Sequence, residues 1–378
     1  MKKILLALIF ISLIVLPSCM VIAGVDLSRK LIIEAIGIDK QDGIIAVSLQ
    51  TLDTHSAGSG SDASSGEDVV KIYVFTGKSV GEALSQVQST TGLMPLYSQA
   101  RVIVLGMELA KEDISEPLDF FLRENNVRSD ILIAVAENEA YKIVTADLGS
   151  SMPDAVIIED TLNYGSDNGF TPCVKLYNFM NYALSKTDAA FCPIIGLEKS
   201  ADPELKEPKV IGTAFFKHNA LSFTVDTELT RGSMFLADEI KKTSFTVEGN
   251  EGVYTLEVTS SNTRIDTDIN ENGFIFKINV TLKCDISEFL SGDFNQVGEK
   301  ETKDAENAGK DHLTKLITKS FDKIYTENHA DICRYYRRVL LKYPSSANTF
   351  LENMFISGFV NTEINVKIEI RRAGKENS

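Results

Sequence analysis

The sequence predicts a mixed α/β and α+β fold in more than one domain, and three observations carry that prediction. Apolar runs alternate with helical patterns through the N-terminal half, clean period-two alternation marks strands in the C-terminal half, and one long amphipathic helix lies between those strands. The expected architecture is an N-terminal α/β part with a mixed sheet, followed by a C-terminal domain of antiparallel sheet covered by the long helix. With 378 residues there is room for two or three domains of about 150 residues each.

The chain opens on MKKILLALIFISLIVLPSC: a cationic Lys2-Lys3 start, an apolar run from Ile4 to Leu16, then Pro17-Ser18-Cys19. This pattern is a secretory signal. As a helix the run would span about 20 Å, too short for a hydrocarbon core about 30 Å thick. A leucine three residues before the cysteine and a small residue just before it resemble a bacterial lipoprotein signal, so residues 1–19 are expected to be a leader and Cys19 the first mature residue. Its sulfur would carry a diacylglyceryl group with palmitate-type chains, the only non-protein group expected. Two acyl chains anchor durably where one binds only marginally.

The formal net charge is −15, and −17 without Lys2 and Lys3. An acidic body is repelled by anionic headgroups and by nucleic acid, so no nucleic-acid partner is expected and the lipid has to hold the protein at the membrane. Cys173, Cys192, Cys284 and Cys333 form no CxxC pair and have no histidine at ligand spacing, so no metal site is indicated. Outside the cytosol a disulfide is permitted, with Cys173 and Cys192 the near pair, whereas Cys284 and Cys333 read as small buried groups.

In chain order, Lys30 to Leu52 reads as a hairpin turning at Asp42-Gly43. Residues 55–68, HSAGSGSDASSGED, form a Gly/Ser linker. Within 69–148, apolar runs at Ile72–Phe75, Val102–Leu105 and Ile131–Val135 alternate with helical patterns beginning near Ser79, Ser115 and Asn138, an α/β unit with partly parallel strands. Residues 20–200 are therefore an N-terminal region of two subdomains, with an amphipathic helix at Val174–Leu184 and a short strand at Pro193–Leu197. The polar stretch 201–209 marks the main boundary, and 205–374 form the C-terminal α+β domain. There Gly212–Phe216 and Ala220–Val225 read as strands, and Asn272-Gly273 as a tight hairpin turn. Phe274, Phe276, Ile278, Val280, Leu282 and Cys284 line one face, and a last strand runs from Thr362 to Ile370. A helix from about Asp304 to Lys342, stopped by Pro344, should cover the dry face of that sheet.

Several segments together resemble one family. They are Cys19 and Ala35-Ile36-Gly37-Ile38-Asp39, then Gly77-Lys78-Ser79 with Glu82-Ala83, then Arg101 through Gly106 running into Glu108-Leu109-Ala110-Lys111. Leu118 through Arg123 and Arg128-Ser129-Asp130 follow, then Val210 through Lys217, Asp331-Ile332, Arg338 through Pro344, Val366-Lys367-Ile368 and Arg371 through Gly374. Their order and spacing resemble the Ger(x)C lipoproteins, the C subunits of nutrient germinant receptors in endospores. Val25-Asp26 stands where the family has a Trp-Asp pair, and Cys333-Arg334-Tyr335 where it has a glycine-bearing stretch, which predicts a more continuous helix here. The resemblance implies α/β domains packed into an elongated body, lipid-anchored to the outer face of the inner spore membrane. It also implies assembly with integral membrane A- and B-type receptor subunits, a role in spore germination, and no enzymatic activity.

Other motifs have competing readings. Gly77-Lys78-Ser79-Val80-Gly81 matches a hydrolase nucleophile elbow, yet Ser79 followed by Glu82 also makes a capping box, and no histidine lies in the same expected domain downstream of it. Asp266, Asp268 and Asn270 begin like a calcium loop, but Glu271 replaces the required glycine and Lys277 the final glutamate. Arg334, Arg337, Arg338 and Lys342 crowd the end of the long helix, where cations complement the helix dipole or form a docking patch for an acidic partner; Arg123 and Arg128 pose the same question at another helix end. Rival functions are a stand-alone extracytoplasmic solute-binding lipoprotein and a serine hydrolase at Ser79. Cys19→Ala is expected to release the protein from membranes, read by carbonate and high-salt fractionation; retention of the variant in the pellet would contradict lipidation at this residue.

Overall fold

The computed structural model describes residues 29–52, 70–149, 153–200, 202, 205–270, 273–290, 297–350, 352 and 361–372. Cys19, the leader and the Gly/Ser linker lie outside the described residues. Two mixed sheets organise the molecule. The first begins with β1 (Lys30–Gln41) and β2 (Ile44–Leu52), an antiparallel pair turning through Asp42 and Gly43 at φ 51° and 79°. Those two left-handed residues give the type I′ twist that strand pairs favour, and the Asp-Gly sequence tolerates it. β3 (Val70–Gly77) adds to the outside of β2, and the short β4 (Met94–Leu96) pairs with β1.

At the centre β5 (Val102–Leu105), β6 (Leu132–Ala136) and β7 (Ala190–Lys199) run parallel to β1 in the order β1-β5-β6-β7. These strands are apolar on both faces because helices cover both. Alternation sorts the side chains: Ile103, Leu105, Ile133 and Val135 face one core with α1 (Val80–Thr91), α3 (Ser115–Arg123) and α6 (Leu176–Ala183). Val102, Val104, Leu132 and Ala134 face a smaller core with α4 (Ala140–Val144) and α5 (Asp154–Asp167). A four-residue α2 (Met107–Ala110) follows β5. The Gly37-Ile38-Asp39 step acquires a physical role here, since the Asp39 carboxylate accepts from the backbone N–H of Ala140 and of Tyr141, both at 2.8 Å, and so caps α4 from a strand about a hundred residues away.

Two expectations change at the far edge. β8 (Lys206–Lys217) and β9 (Ala220–Asp226) pair antiparallel with β7 and with each other, so the strands at Gly212–Phe216 and Ala220–Val225 belong to the first sheet and not to the C-terminal one. Lys206 to Lys209 of the polar stretch are part of β8 and pair with Gly196 to Lys199 of β7, so that polarity marks the solvent-facing end of a strand pair as readily as a linker. In addition, α5 fills part of what read as irregular sequence. Its one-face spacing Ala155, Ile158 and Leu162 follows Pro153, a legible start signal.

After α7 (Thr227–Leu236), the second sheet takes β10 (Thr243–Glu248), β11 (Val253–Asn270), β12 (Gly273–Leu290) and β13 (Asn361–Arg372) in that order. β10, β11 and β12 are antiparallel, but β13 runs parallel to β12, pairing Val280 with Val366 and Leu282 with Ile368. The sheet is thus mixed, because the connection between its last two strands is a long helical crossover rather than a hairpin. Phe276, Ile278, Val280, Leu282 and Cys284 are buried on the face covered by α8 (Glu299–Phe321). Gly309 lets that helix lie close: a Cβ there would sit 2.8 Å from side-chain carbons of both Leu256 and Ile368. The helix does not run on to Lys342. It passes into a π-helical turn at Asp322–Glu327, breaks, and resumes as α9 (Tyr335–Lys342) before Pro344. Among the described residues no helix is long and apolar enough to cross a membrane.

Arg101, just before β5, bridges two carboxylates, Glu34 at 2.9 Å and Glu159 at 2.6 Å, and the Glu34 side chain is only 5% exposed. Removing one partner of a buried pair strands the other charge. Arg101→Ala is expected to lose about 3–5 kcal/mol in urea unfolding, and adding Glu34→Gln should recover much of that loss. Additive losses in the double variant would contradict the coupling.

Candidate functional site: a cleft beside a broken helix

The helix breaks at the Asp331-Ile332-Cys333-Arg334 segment, and Asp331 organises the break. Its carboxylate, 1% exposed as a residue, accepts from the backbone N–H of Tyr335 at 2.9 Å and of Tyr336 at 3.1 Å, capping α9 from inside the core. It also accepts from the Tyr325 hydroxyl at 3.2 Å, which in turn accepts from the Cys333 N–H at 2.6 Å. Burial pushes the Asp331 carboxyl up to about 6, against the pull of the two amides. The same segment is tied to the first sheet, since the Ala189 N–H donates to the Asp331 carbonyl and the Lys217 ammonium to the Asn328 carbonyl.

Arg334 sits at φ 58°, ψ 45°, the left-handed region that glycine enters freely and arginine enters at a cost of about 1 kcal/mol. The expected continuous helix therefore fails: the chain keeps a glycine-like conformation without the glycine. The guanidinium lies 4.6 Å over the Tyr182 ring and donates to its hydroxyl, a cation–π contact that offsets the strain. Between Tyr182 on α6 and this segment opens a cleft of about 480 Å³, whose walls include Val174, Phe191, Leu236, Ile265 and the charged side chains of Asp188, Glu239, Arg334 and Arg338.

The four cations expected as one patch are not on one open face. Arg334 and Arg338 line the cleft, where Arg338 donates to the carbonyls of Cys333 at 3.0 Å and Ile265 at 3.4 Å. Lys342 reaches the Thr267 carbonyl and the Asp268 carboxylate of the β11–β12 hairpin. Arg337 alone has no hydrogen-bond or ion-pair partner among the described residues, and it shares the outer face of α9 with Leu340 and Leu341, the latter 78% exposed. Arg123 pairs with Asp119 and Arg128 with Asp130. Sequence reasoning missed Tyr182 and Asp188, six residues apart, and the distant Glu239, which carry no shared motif.

The remaining motifs resolve locally. The Ser79 hydroxyl accepts from the Glu82 N–H at 3.1 Å, and Glu82 accepts from the Lys78 N–H at 2.6 Å, the two halves of a helix cap. Asp266 and Asp268 lie on the extended strand β11, paired with Arg264 and with Lys277 and Lys342, which is the geometry of a hairpin and not of a calcium loop. The thiols of Cys173, Cys192, Cys284 and Cys333 are free, and burial raises each, Cys173 to about 11 and Cys284 and Cys333 to about 12. Among the described residues no three His, Cys, Asp or Glu side chains converge as a metal site.

Two mixed sheets meet at the cleft, and the serine motif is engaged as a helix cap. The chain belongs to the GerAC-like family of spore germination proteins. The family model described as "Spore germination protein N-terminal domain" matches residues 24–197, and that described as "Spore germination B3/ GerAC like, C-terminal" matches residues 211–374. The family division falls at the polar 201–209 stretch even though the first sheet continues across it. The crystal structure of the GerBC protein superposes with a TM-score of 0.59 at 18% identity, covering 89% of this chain and 96% of that one, a likeness of fold. No curated protein matches the chain.

Because the folded carboxyl of Asp331 titrates near 6 and the ordinary value is 3.8, the native state holds the proton more tightly, and stability is lost as pH rises between about 4 and 6. An asparagine at this position cannot ionise. The stability advantage of the native chain over Asp331→Asn should therefore shrink by about 2 kcal/mol between pH 4 and pH 7 in urea unfolding. An advantage that stays constant or grows across that range would contradict the raised value.

Proposed function

We propose that this protein is a lipid-anchored, non-enzymatic C subunit of a nutrient germinant receptor, acting in spore germination beside integral membrane A- and B-type subunits. The observation that carries the reading is the match of both family models, in order, from residue 24 to residue 374, directly behind a leader that ends in Cys19. The acyl chains on Cys19 hold the body at the outer face of the inner spore membrane. Confinement there raises its effective concentration toward neighbouring subunits, so modest contacts suffice for assembly. The capped Ser79 supports a role without bond-breaking chemistry.

The docking face in this reading is the outer face of α9. Arg337, Leu340 and Leu341 sit at the i, i+3, i+4 spacing that puts side chains side by side, and none is needed by the core. A guanidinium without a partner among the described residues, beside two exposed leucines on an acidic body, suits an acidic surface with an apolar centre on a companion subunit. Affinity capture from spore membranes is expected to recover two membrane-embedded proteins with the native chain, and at least about tenfold less of them with Arg337→Glu plus Leu341→Asp at equal abundance. Recovery of the chain alone would overturn the assembly, and undiminished recovery with the double variant would overturn the α9 face.

A further inference from the structure

The charged groups around the cleft are unequally satisfied. Arg334 is met by the Tyr182 ring and hydroxyl, and Arg338 by two backbone carbonyls. Asp331 is held by two amides and a phenol, and Asp238 by the Thr263 N–H and the Lys241 ammonium. Glu239 has no hydrogen-bond or ion-pair partner among the described residues, although it lines the cleft. Asp188 uses one carboxylate oxygen on the Ser185 hydroxyl at 3.1 Å, and its other oxygen is buried with no partner. Four carboxylates stand against two guanidiniums and the Lys241 ammonium, which leaves the local charge negative by one, and the unmet hydrogen-bonding capacity is that of an acceptor.

We propose that this cleft binds a small organic ammonium compound with an apolar body, its charged nitrogen on the Glu239 carboxylate and its carbon skeleton against Val174, Phe191, Leu236 and Ile265. The volume of about 480 Å³ lies in the range of small-molecule sites, and Val174, Phe191, Leu236 and Ile265 give a mostly polar lining an apolar part. Glu239 is accessible to solvent, yet burial of its carboxyl raises it above the ordinary glutamate value, as expected where a concave wall thins the water around a charge. A cationic nitrogen would restore the lost solvation through a charge-assisted hydrogen bond. The apolar part of the lining suits an alkyl or aryl ammonium better than a bare metal ion, and among the described residues no three metal ligands converge. The proposal goes beyond the receptor role and stands or falls separately from assembly.

The test is calorimetric titration of the purified full chain with butylammonium chloride, butanol and sodium butyrate as probes of matched skeleton. Butylammonium is expected to bind with a millimolar or tighter constant and the other two to bind at least about tenfold more weakly. Glu239→Gln should weaken butylammonium binding by about tenfold or more, with an unchanged unfolding transition, while Glu239→Asp should retain the preference for the amine over butanol. No heat from butylammonium at about 10 mM, a preference for butyrate, or undiminished amine binding by Glu239→Gln would each overturn the proposal. Capture of the membrane subunits reads the assembly alone, so either reading can fail while the other holds.

Discussion

The buried Asp331 carboxylate is the interaction on which the functional half of the molecule depends. A helix of eight residues has too few hydrogen bonds to hold itself together in water, so α9 exists only because its N-terminus is capped and its inner face packed. Asp331 supplies the cap, and its backbone carbonyl ties the same residue to Ala189 beside β7. One side chain thereby fixes where the long helix stops, where the short one starts, and how both sit against the first sheet. Its raised carboxyl shows the tension in the arrangement: the amides favour the anion while the apolar surroundings oppose it, and the surroundings prevail.

The apolar cores explain why so much of the fold was legible. Period-two alternation in β12 and the short apolar runs of β5 and β6 come directly from strands with one or two buried faces, and those elements stand where the sequence put them. Strand partnership was less legible. Nothing in Gly212–Phe216 says which sheet it joins, since burial is equally well met in either, and the direction of β13 follows from the path of a crossover and not from its own residues. The helix break at residues 328–334 was hidden for a different reason. Arginine at position 334 carries no local signal for a left-handed conformation; the strain is balanced by Tyr182, far away in sequence.

The cleft follows the same division. Arg334 and Arg338 were conspicuous because cations cluster in one helix, but a run of like charges in sequence says little about a common face in space. The structure distributes them among a phenol ring, backbone carbonyls and a hairpin carboxylate. Glu239, left over once these partners are assigned, had no motif to announce it. Its distinction is the lack of a hydrogen-bond or ion-pair partner among the described residues, in a cleft that only the folded arrangement of α6, α7 and the broken helix creates.

These features meet in α9, which carries different groups on its two sides. Arg334 and Arg338 face the cleft, whereas Arg337, Leu340 and Leu341 face outward, separated by the width of a single helix. The segment is held at its start by the Asp331 cap and near its end by Lys342 on the β11–β12 hairpin. The cations that border the cleft and the exposed leucines thus share one eight-residue helix whose position is fixed at both ends.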